Sequence, residues 1–191
     1  MSFAKKVFKY RSYTPIPFLL VMLIFQEATL TSMLVGFAVA LTGEFFRLWG
    51  VVYAGSETRT TGGVGGTYLV VSGAFAHVRN PLYLGNILLY TGIGIMSLAL
   101  FPYLQIFAFI FFYIQYLIII AEEEKYLLET FKEDYQHYYD NVPRLFPRPT
   151  SYKTEKVKQP PLNIKAGLRS ERRTLQAFSS VVIVLIILYL V

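Results

Sequence analysis

The chain contains no cysteine and only two histidines, and these scarcities exclude several kinds of chemistry. Without cysteine there is no disulfide, no thiolate metal site and no cysteine nucleophile. With His77 and His137 as the only imidazoles, we expect no metal site. Charged residues are also scarce, at 16% of 191 residues. In a membrane protein, a net charge of +6 indicates attraction to anionic lipid before it indicates nucleic acid, so for such a chain we expect membrane lipids as partners and no nucleic acid.

Apolar residues are abundant instead. They make up 54% of the chain, and the mean hydropathy of +0.46 is too high for an ordinary soluble domain. We therefore predict an all-α integral membrane protein with about five transmembrane helices. The predicted spans are residues 15–28, 33–52, 81–100, 103–121 and 175–191. Small residues such as Gly36, Gly43 and Gly92 predict close packing between helices.

The fourth predicted span has no breaker at its end. The pattern continues to about residue 139, which predicts a long fourth helix extending into the cytoplasm. One stripe of this helix carries Glu124, Leu128, Phe131, Tyr135 and Tyr138, and a carboxylate on such a buried face needs a partner.

The 18 lysines and arginines fall in three regions. These are the N-terminal segment, the linker 54–72 together with the span ends next to it, and the residues after 121. These regions share one side of the membrane if five spans alternate. The positive-inside rule then places the N-terminus and both later regions, which carry the candidate active site described below, on the cytoplasmic side of a multi-pass protein. Residues 162–173 form a basic amphipathic stretch suited to lying on the membrane.

The polar segment of residues 72–86 has features of a binding site. Asn80 can cap a helix that begins at Pro81, and the free N–H groups of its first turn suit a carboxylate or phosphate. The Gly-rich linker 55–66 lacks the spacing of a P-loop and is interpreted as a surface loop or a lid. Glu44 and Arg47 lie one turn apart and are interpreted as an ion pair; the alternative is that Arg47 reaches the site.

Glutamates and tyrosines of the long helix meet this segment if both lie at the cytoplasmic end of the third and fourth spans. A zwitterionic ligand with an additional cationic centre fits these groups. Its carboxylate would bind at the helix N-terminus, its ammonium would pair with Glu123 or Glu124, and its cationic centre would lie against the tyrosine rings. S-adenosylmethionine has all three features. The alternatives are a solvated helix face for the glutamates and an interfacial belt for the tyrosines.

Two motifs in this order resemble the isoprenylcysteine carboxyl methyltransferase family, which overlaps with the phospholipid N-methyltransferases. The first is residues 73–85, Gly-Ala-Phe-Ala-His-Val-Arg-Asn-Pro-Leu-Tyr-Leu-Gly. The second comprises Glu123, Glu124, Leu127, Phe131, Tyr135, Tyr138, Val142, Pro143, Arg144 and Pro147. The chain departs from the family pattern at Ala74, Asn80 and Lys132, where proline, histidine and glycine are usual. It also has no arginine in residues 116–120, which weakens the case for a prenylcysteine substrate.

The resemblance implies one membrane methyltransferase domain over residues 1–191, with a core of 43–147 and a C-terminal segment and final span of 162–191. It implies S-adenosylmethionine as cofactor and a lipophilic acceptor from the bilayer. The implied cofactor-binding residues are His77, Val78, Arg79, Asn80, Pro81, Tyr83, Leu84, Gly85, Asn86, Glu123, Glu124, Tyr135 and Tyr138. The implied catalytic residues are Arg144, Glu124 and Arg79.

The acceptor and the oligomeric state stay open. A carboxylate needs only a cation to position it, whereas an amine must also lose a proton, for which Glu124 and His77 are candidates. Two other functions compete with methyl transfer: an NADPH-dependent sterol-reductase-like enzyme and a non-catalytic membrane scaffold.

Overall fold

The computed structural model describes residues 3–55 and 68–191, and these residues form helices without a β-strand. The helices are α1 (Phe3–Tyr10), α2 (Pro15–Ile24), α3 (Leu30–Ala54), α4 (Pro81–Ser97), α5 (Tyr103–Asn141) and α6 (Ile164–Leu190). A short 3-10 turn, Gly73–Ala76, precedes α4. The predicted all-α class is confirmed for these residues. The linker interpreted as a lid lies, apart from Gly55, outside them.

Three of the helices in residues 3–55 and 68–191, α3, α5 and α6, are long and apolar enough to cross a membrane. The 10 residues of α2 and the 17 residues of α4 are fewer than the roughly 20 that a perpendicular span needs. The predicted count of five spans therefore stays a prediction.

α5 is not the uninterrupted rod that the sequence pattern predicts. Lys132 has φ 46° and ψ −119°, so two helical segments meet there. This backbone conformation costs little for glycine but is strained for a residue with a Cβ. Lys132 is also a position where the chain departs from the glycine of the family pattern.

α6 joins two segments that the sequence pattern predicts as separate. The basic amphipathic stretch and the final apolar stretch form one helix of 27 residues. The side-chain oxygen of Asn163 accepts a hydrogen bond from the Ala166 N–H at 2.9 Å, which caps the first turn.

The chain divides into two compact units, and the first consists of Met1–Glu44, Gly85–Ile119 and Arg173–Val191. Its glycines pack α3 against α4, as their spacing predicts. A Cβ added to Gly43 would lie 2.5 Å from the carbonyl oxygen of Gly85, so only glycine permits this approach.

The second unit consists of Phe45–Leu84 and Ile120–Arg172. Its buried core contains Leu69, Val71, Tyr135, Tyr138 and Val142. This unit holds both sequence motifs except Gly85 of the first.

Candidate functional site

A buried carboxylate joins the two motifs. Glu124 is 3% exposed, and its Oε1 accepts a hydrogen bond from Nε of Arg79 at 3.0 Å. Its Oε2 accepts one from Nη2 of Arg144 at 2.5 Å. We call Arg79, Glu124 and Arg144 the arginine clasp. Glu124 therefore has the partner that its place on a buried face requires.

Arg79 has a second set of partners at the end of α5. Its Nη1 donates to the carbonyl oxygens of Tyr139 and Val142, and its guanidinium carbon lies 4.0 Å from the centroid of the Tyr139 ring. Its backbone N–H donates to the carbonyl of Pro143 at 2.9 Å. The contact with Tyr139 satisfies one of the carbonyls that the end of α5 leaves without an intrahelical partner, and the other two contacts hold the residues just after it.

The segment before α4 runs beside the chain that follows α5. The N–H groups of Arg148 and Tyr152 donate to the carbonyls of His77 and Ala76, both at 2.9 Å. Nδ1 of His77 lies 2.9 Å from the Arg148 carbonyl, and because a carbonyl only accepts, this nitrogen carries the proton. The first motif is thus fixed mainly by backbone hydrogen bonds to residues 143–152.

The turn into α4 depends on two special residues. Gly73 has φ +60°, and a Cβ there would also collide with the ring of Tyr53. α4 begins at Pro81, as predicted, and the Leu84 N–H donates to the Asn80 carbonyl as its first helical bond. The side-chain amide of Asn80 donates to the Arg144 carbonyl at 3.1 Å, so it connects α4 with the second motif.

The other predicted residues of this unit differ in exposure. The hydroxyl of Tyr83 donates to Oε1 of Glu123 at 2.7 Å, and both side chains are half-buried, as is Leu84. Tyr135 and Tyr138 are each 2% exposed, and the Tyr138 hydroxyl donates to the Phe75 carbonyl at 2.7 Å. The two tyrosines therefore belong to the packed core of this unit.

Buried positions complete the set: Val78 is fully buried and Pro81 is also buried. Gly85 and Asn86 belong to the first unit, so their part in the site stays a prediction.

Arg144 differs from its clasp partners because 36% of its side chain is exposed, against 8% for Arg79 and 4% for Glu124. Its hydrogen bond to Glu124 raises the pKa of the Arg144 guanidinium above its usual value. This arginine is therefore charged at any ordinary pH and has one part that a ligand can reach.

Sequence reasoning missed a second buried ion pair. Nη2 of Arg47 donates to both carboxylate oxygens of Glu171 at 2.9 Å, and the two residues are 9% and 2% exposed. The pair attaches the start of α6 to the end of α3. It was missed because no local spacing relates residues 124 positions apart.

A second missed contact involves Gln159. Its side chain accepts from the Val71 N–H and donates to the Leu69 carbonyl, which attaches the loop after α5 to the core.

In the part of the chain that the structure describes, no group of three or more His, Asp or Glu side chains is placed to hold a metal ion.

Comparison with known proteins assigns the chain to a family. The model of the isoprenylcysteine carboxyl methyltransferase (ICMT) family matches residues 33–129, about half of the chain. The chain belongs to this family, and three of its described helices are long and apolar enough to cross a membrane. The match ends before Tyr135, Tyr138 and Arg144.

A curated relative is the cobalt-zinc-cadmium resistance protein CzcN of Cupriavidus metallidurans, 32% identical over 128 residues. The alignment covers 66% of this chain, and the chain spans about half, 52%, of the relative's length. No solved structure matches the chain.

Proposed function

We propose that the chain transfers a methyl group from S-adenosylmethionine to a lipophilic acceptor carrying a carboxylate. The observation that carries the proposal is the arginine clasp, which holds a partly exposed guanidinium, Arg144, beside the residues of the family's first motif. S-adenosylmethionine supplies an electrophilic methyl group when bound.

The second unit has groups that fit both ends of this zwitterionic cofactor. The N–H groups of the first turn of α4, at Leu82 and Tyr83, are suited to its carboxylate. Glu123 is suited to its ammonium, and Tyr83, which donates to Glu123, holds that carboxylate in place. We assign the ammonium to Glu123 because both oxygens of Glu124 already accept from arginines.

The exposed part of Arg144 suits an anionic acceptor. A guanidinium binds a carboxylate with two parallel hydrogen bonds and orients it without removing its charge, and a carboxylate needs no general base. Glu124 then acts as a positioning residue, because it fixes the guanidinium that meets the acceptor. An amine acceptor is the less favoured alternative, since it must lose a proton and both carboxylate oxygens of Glu124 already accept hydrogen bonds from arginines.

We further propose the topology for this chemistry: five spans, with the N-terminus and the clasp on the cytoplasmic side. The support is the distribution of lysines and arginines along the sequence. The cofactor would then arrive from the cytoplasm and the acceptor from the bilayer.

Calorimetric titration of the detergent-purified chain with S-adenosylmethionine, S-adenosylhomocysteine and NADPH tests the proposal. We expect saturable binding of the first two only. Glu123→Gln should weaken that binding by about tenfold or more, since a hydrogen bond to a charged group contributes roughly 1.5–3 kcal/mol. Glu122→Gln, the same change one residue earlier, is the matched control and should leave the affinity unchanged.

Transfer of a radiolabelled methyl group to membrane lipids separates cofactor binding from acceptor positioning. Arg144→Gln should raise the KM for the acceptor while the affinity for S-adenosylmethionine is kept. NADPH binding alone would replace the proposal with a reductase, and binding of none of the three would leave a scaffold.

A further inference from the structure

We propose that the first turns of α6 form a docking surface for the headgroups of anionic phospholipids. Lys165, Arg169 and Arg172 follow one another at spacings of four and three residues, so they share one stripe of the helix, and all three are exposed. Ile164 and Leu168 lie on the neighbouring stripe and are 55% and 47% exposed. Cations and apolar side chains are thus presented side by side.

The opposite face of the same turns is attached to α3, which fixes the direction of the stripe. Glu171 forms the buried ion pair with Arg47 at 2.9 Å. A Cβ added to Gly167 would lie 2.8 Å from the Cα of Val52, so this face packs directly against the α3 backbone. Ser170 is also buried. The cationic stripe therefore faces away from the core of its unit.

The distribution of charge along α6 favours a lipid surface over a soluble partner. From Thr174 to Leu190 the helix carries no Asp, Glu, Lys or Arg, and it is apolar enough to cross a membrane. Cations directly before such a stretch lie at headgroup depth when the stretch is inserted. Exposed apolar residues beside basic ones are typical of helices that lie in the interface. A soluble polyanion would make no apolar contact with Ile164 and Leu168.

Native mass spectrometry of the detergent-purified full chain tests the surface, with phosphatidylglycerol and phosphatidylcholine titrated separately. We expect tighter binding of phosphatidylglycerol. Replacing Lys165, Arg169 and Arg172 with glutamine should weaken it by about fivefold per removed cation, since each cation near an anionic surface contributes about one such factor. Phosphatidylcholine binding should stay unchanged. The single variant Arg169→Gln should show about a fivefold loss and guards against misfolding of the triple variant.

The matched control removes the same charge from the loop after α5. Lys153, Lys156 and Lys158 are exposed but lie on no helix, and their replacement with glutamine should leave the phosphatidylglycerol affinity unchanged. An equal loss in this control would mean attraction to net charge only and would overturn the proposal. Equal affinity of the native chain for both lipids would also overturn it. Displacement of the lipid by an equal concentration of free glycerol phosphate would indicate a soluble-anion site instead.

Discussion

The arginine clasp predicts a large loss in the free energy of unfolding when Glu124 is neutralised, and the pair with Arg79 should account for more of this loss than the pair with Arg144. Glu124→Gln keeps the size of the side chain but leaves Arg79, whose side chain is 8% exposed, without its anionic partner. Breaking a buried ion pair by removing one charge costs about 3–5 kcal/mol, because the remaining charge is left desolvated. The amide oxygen of glutamine still accepts one hydrogen bond, so we expect about 3 kcal/mol, at the lower end of this range.

The two arginines should contribute differently to this loss. Arg144 is 36% exposed, so water solvates it when Glu124 is neutral, and its pairing should be worth about 1 kcal/mol or less. A double-mutant cycle separates the two pairs. We expect the Arg79–Glu124 coupling to exceed the Arg144–Glu124 coupling by about 1–2 kcal/mol.

The assay is equilibrium unfolding of the purified chain from mild detergent into denaturing detergent, followed by helical circular dichroism. Glu123→Gln is the matched control, because Glu123 is the adjacent residue of the same type and its hydrogen bond to Tyr83 is only half-buried. It should lower the free energy of unfolding by about 1 kcal/mol. A loss for Glu124→Gln no larger than this control, or equal couplings to both arginines, would refute the reasoning.

Two further changes test single features of the second unit by the same unfolding assay. Lys132→Gly should stabilise the protein by about 1 kcal/mol, because it relieves the strained backbone at φ 46°. Its control, Glu133→Gly in the regular helix beside it, should destabilise the protein by about 1 kcal/mol. Equal effects of the two substitutions would mean that the backbone at Lys132 is not strained. Tyr138→Phe should cost about 1–2 kcal/mol, because it leaves the Phe75 carbonyl without its donor, whereas Tyr103→Phe removes a hydroxyl from a ring that is 78% exposed and should change stability by less than about 0.5 kcal/mol.

Local rules predicted the parts of the site that depend on neighbouring residues. Pro81 fixed the start of α4, because proline suits the first helical position and few others. The 3.6-residue stripe predicted that Glu124 and Tyr138 face inward, and both are buried. The requirement for a partner to Glu124 also followed from the cost of burying a charge.

Tertiary contacts decided what these rules left open. Several cations were available to Glu124, and the choice of Arg79 and Arg144 depends on a chain reversal after α5 that no periodicity encodes. The break at Lys132 was not predicted, because a lysine in a helical pattern predicts a continuous helix; the glycine that is usual at this position in the family pattern was the one signal for it. The buried pair of Arg47 with Glu171 was also beyond local rules, because its members are far apart in sequence.

The contacts of Arg79 give a physical reason why the two motifs occur together. The last turn of a helix presents carbonyl oxygens without intrahelical partners, at the negative end of the helix dipole. A cation there is stabilised both by hydrogen bonds to these oxygens and by the dipole. Arg79 donates to the Tyr139 carbonyl in the last turn of α5 and to the Val142 carbonyl just after it, while it pairs with Glu124, which lies on the same helix. A second arginine, Arg148, donates to the Asn141 carbonyl at 2.6 Å. One side chain of the first motif thus caps the helix that carries the second motif and neutralises its buried carboxylate. The first motif therefore supplies the cation that the helix of the second motif needs. Arg144 is held by both motifs, through the side-chain amide of Asn80 and the carboxylate of Glu124.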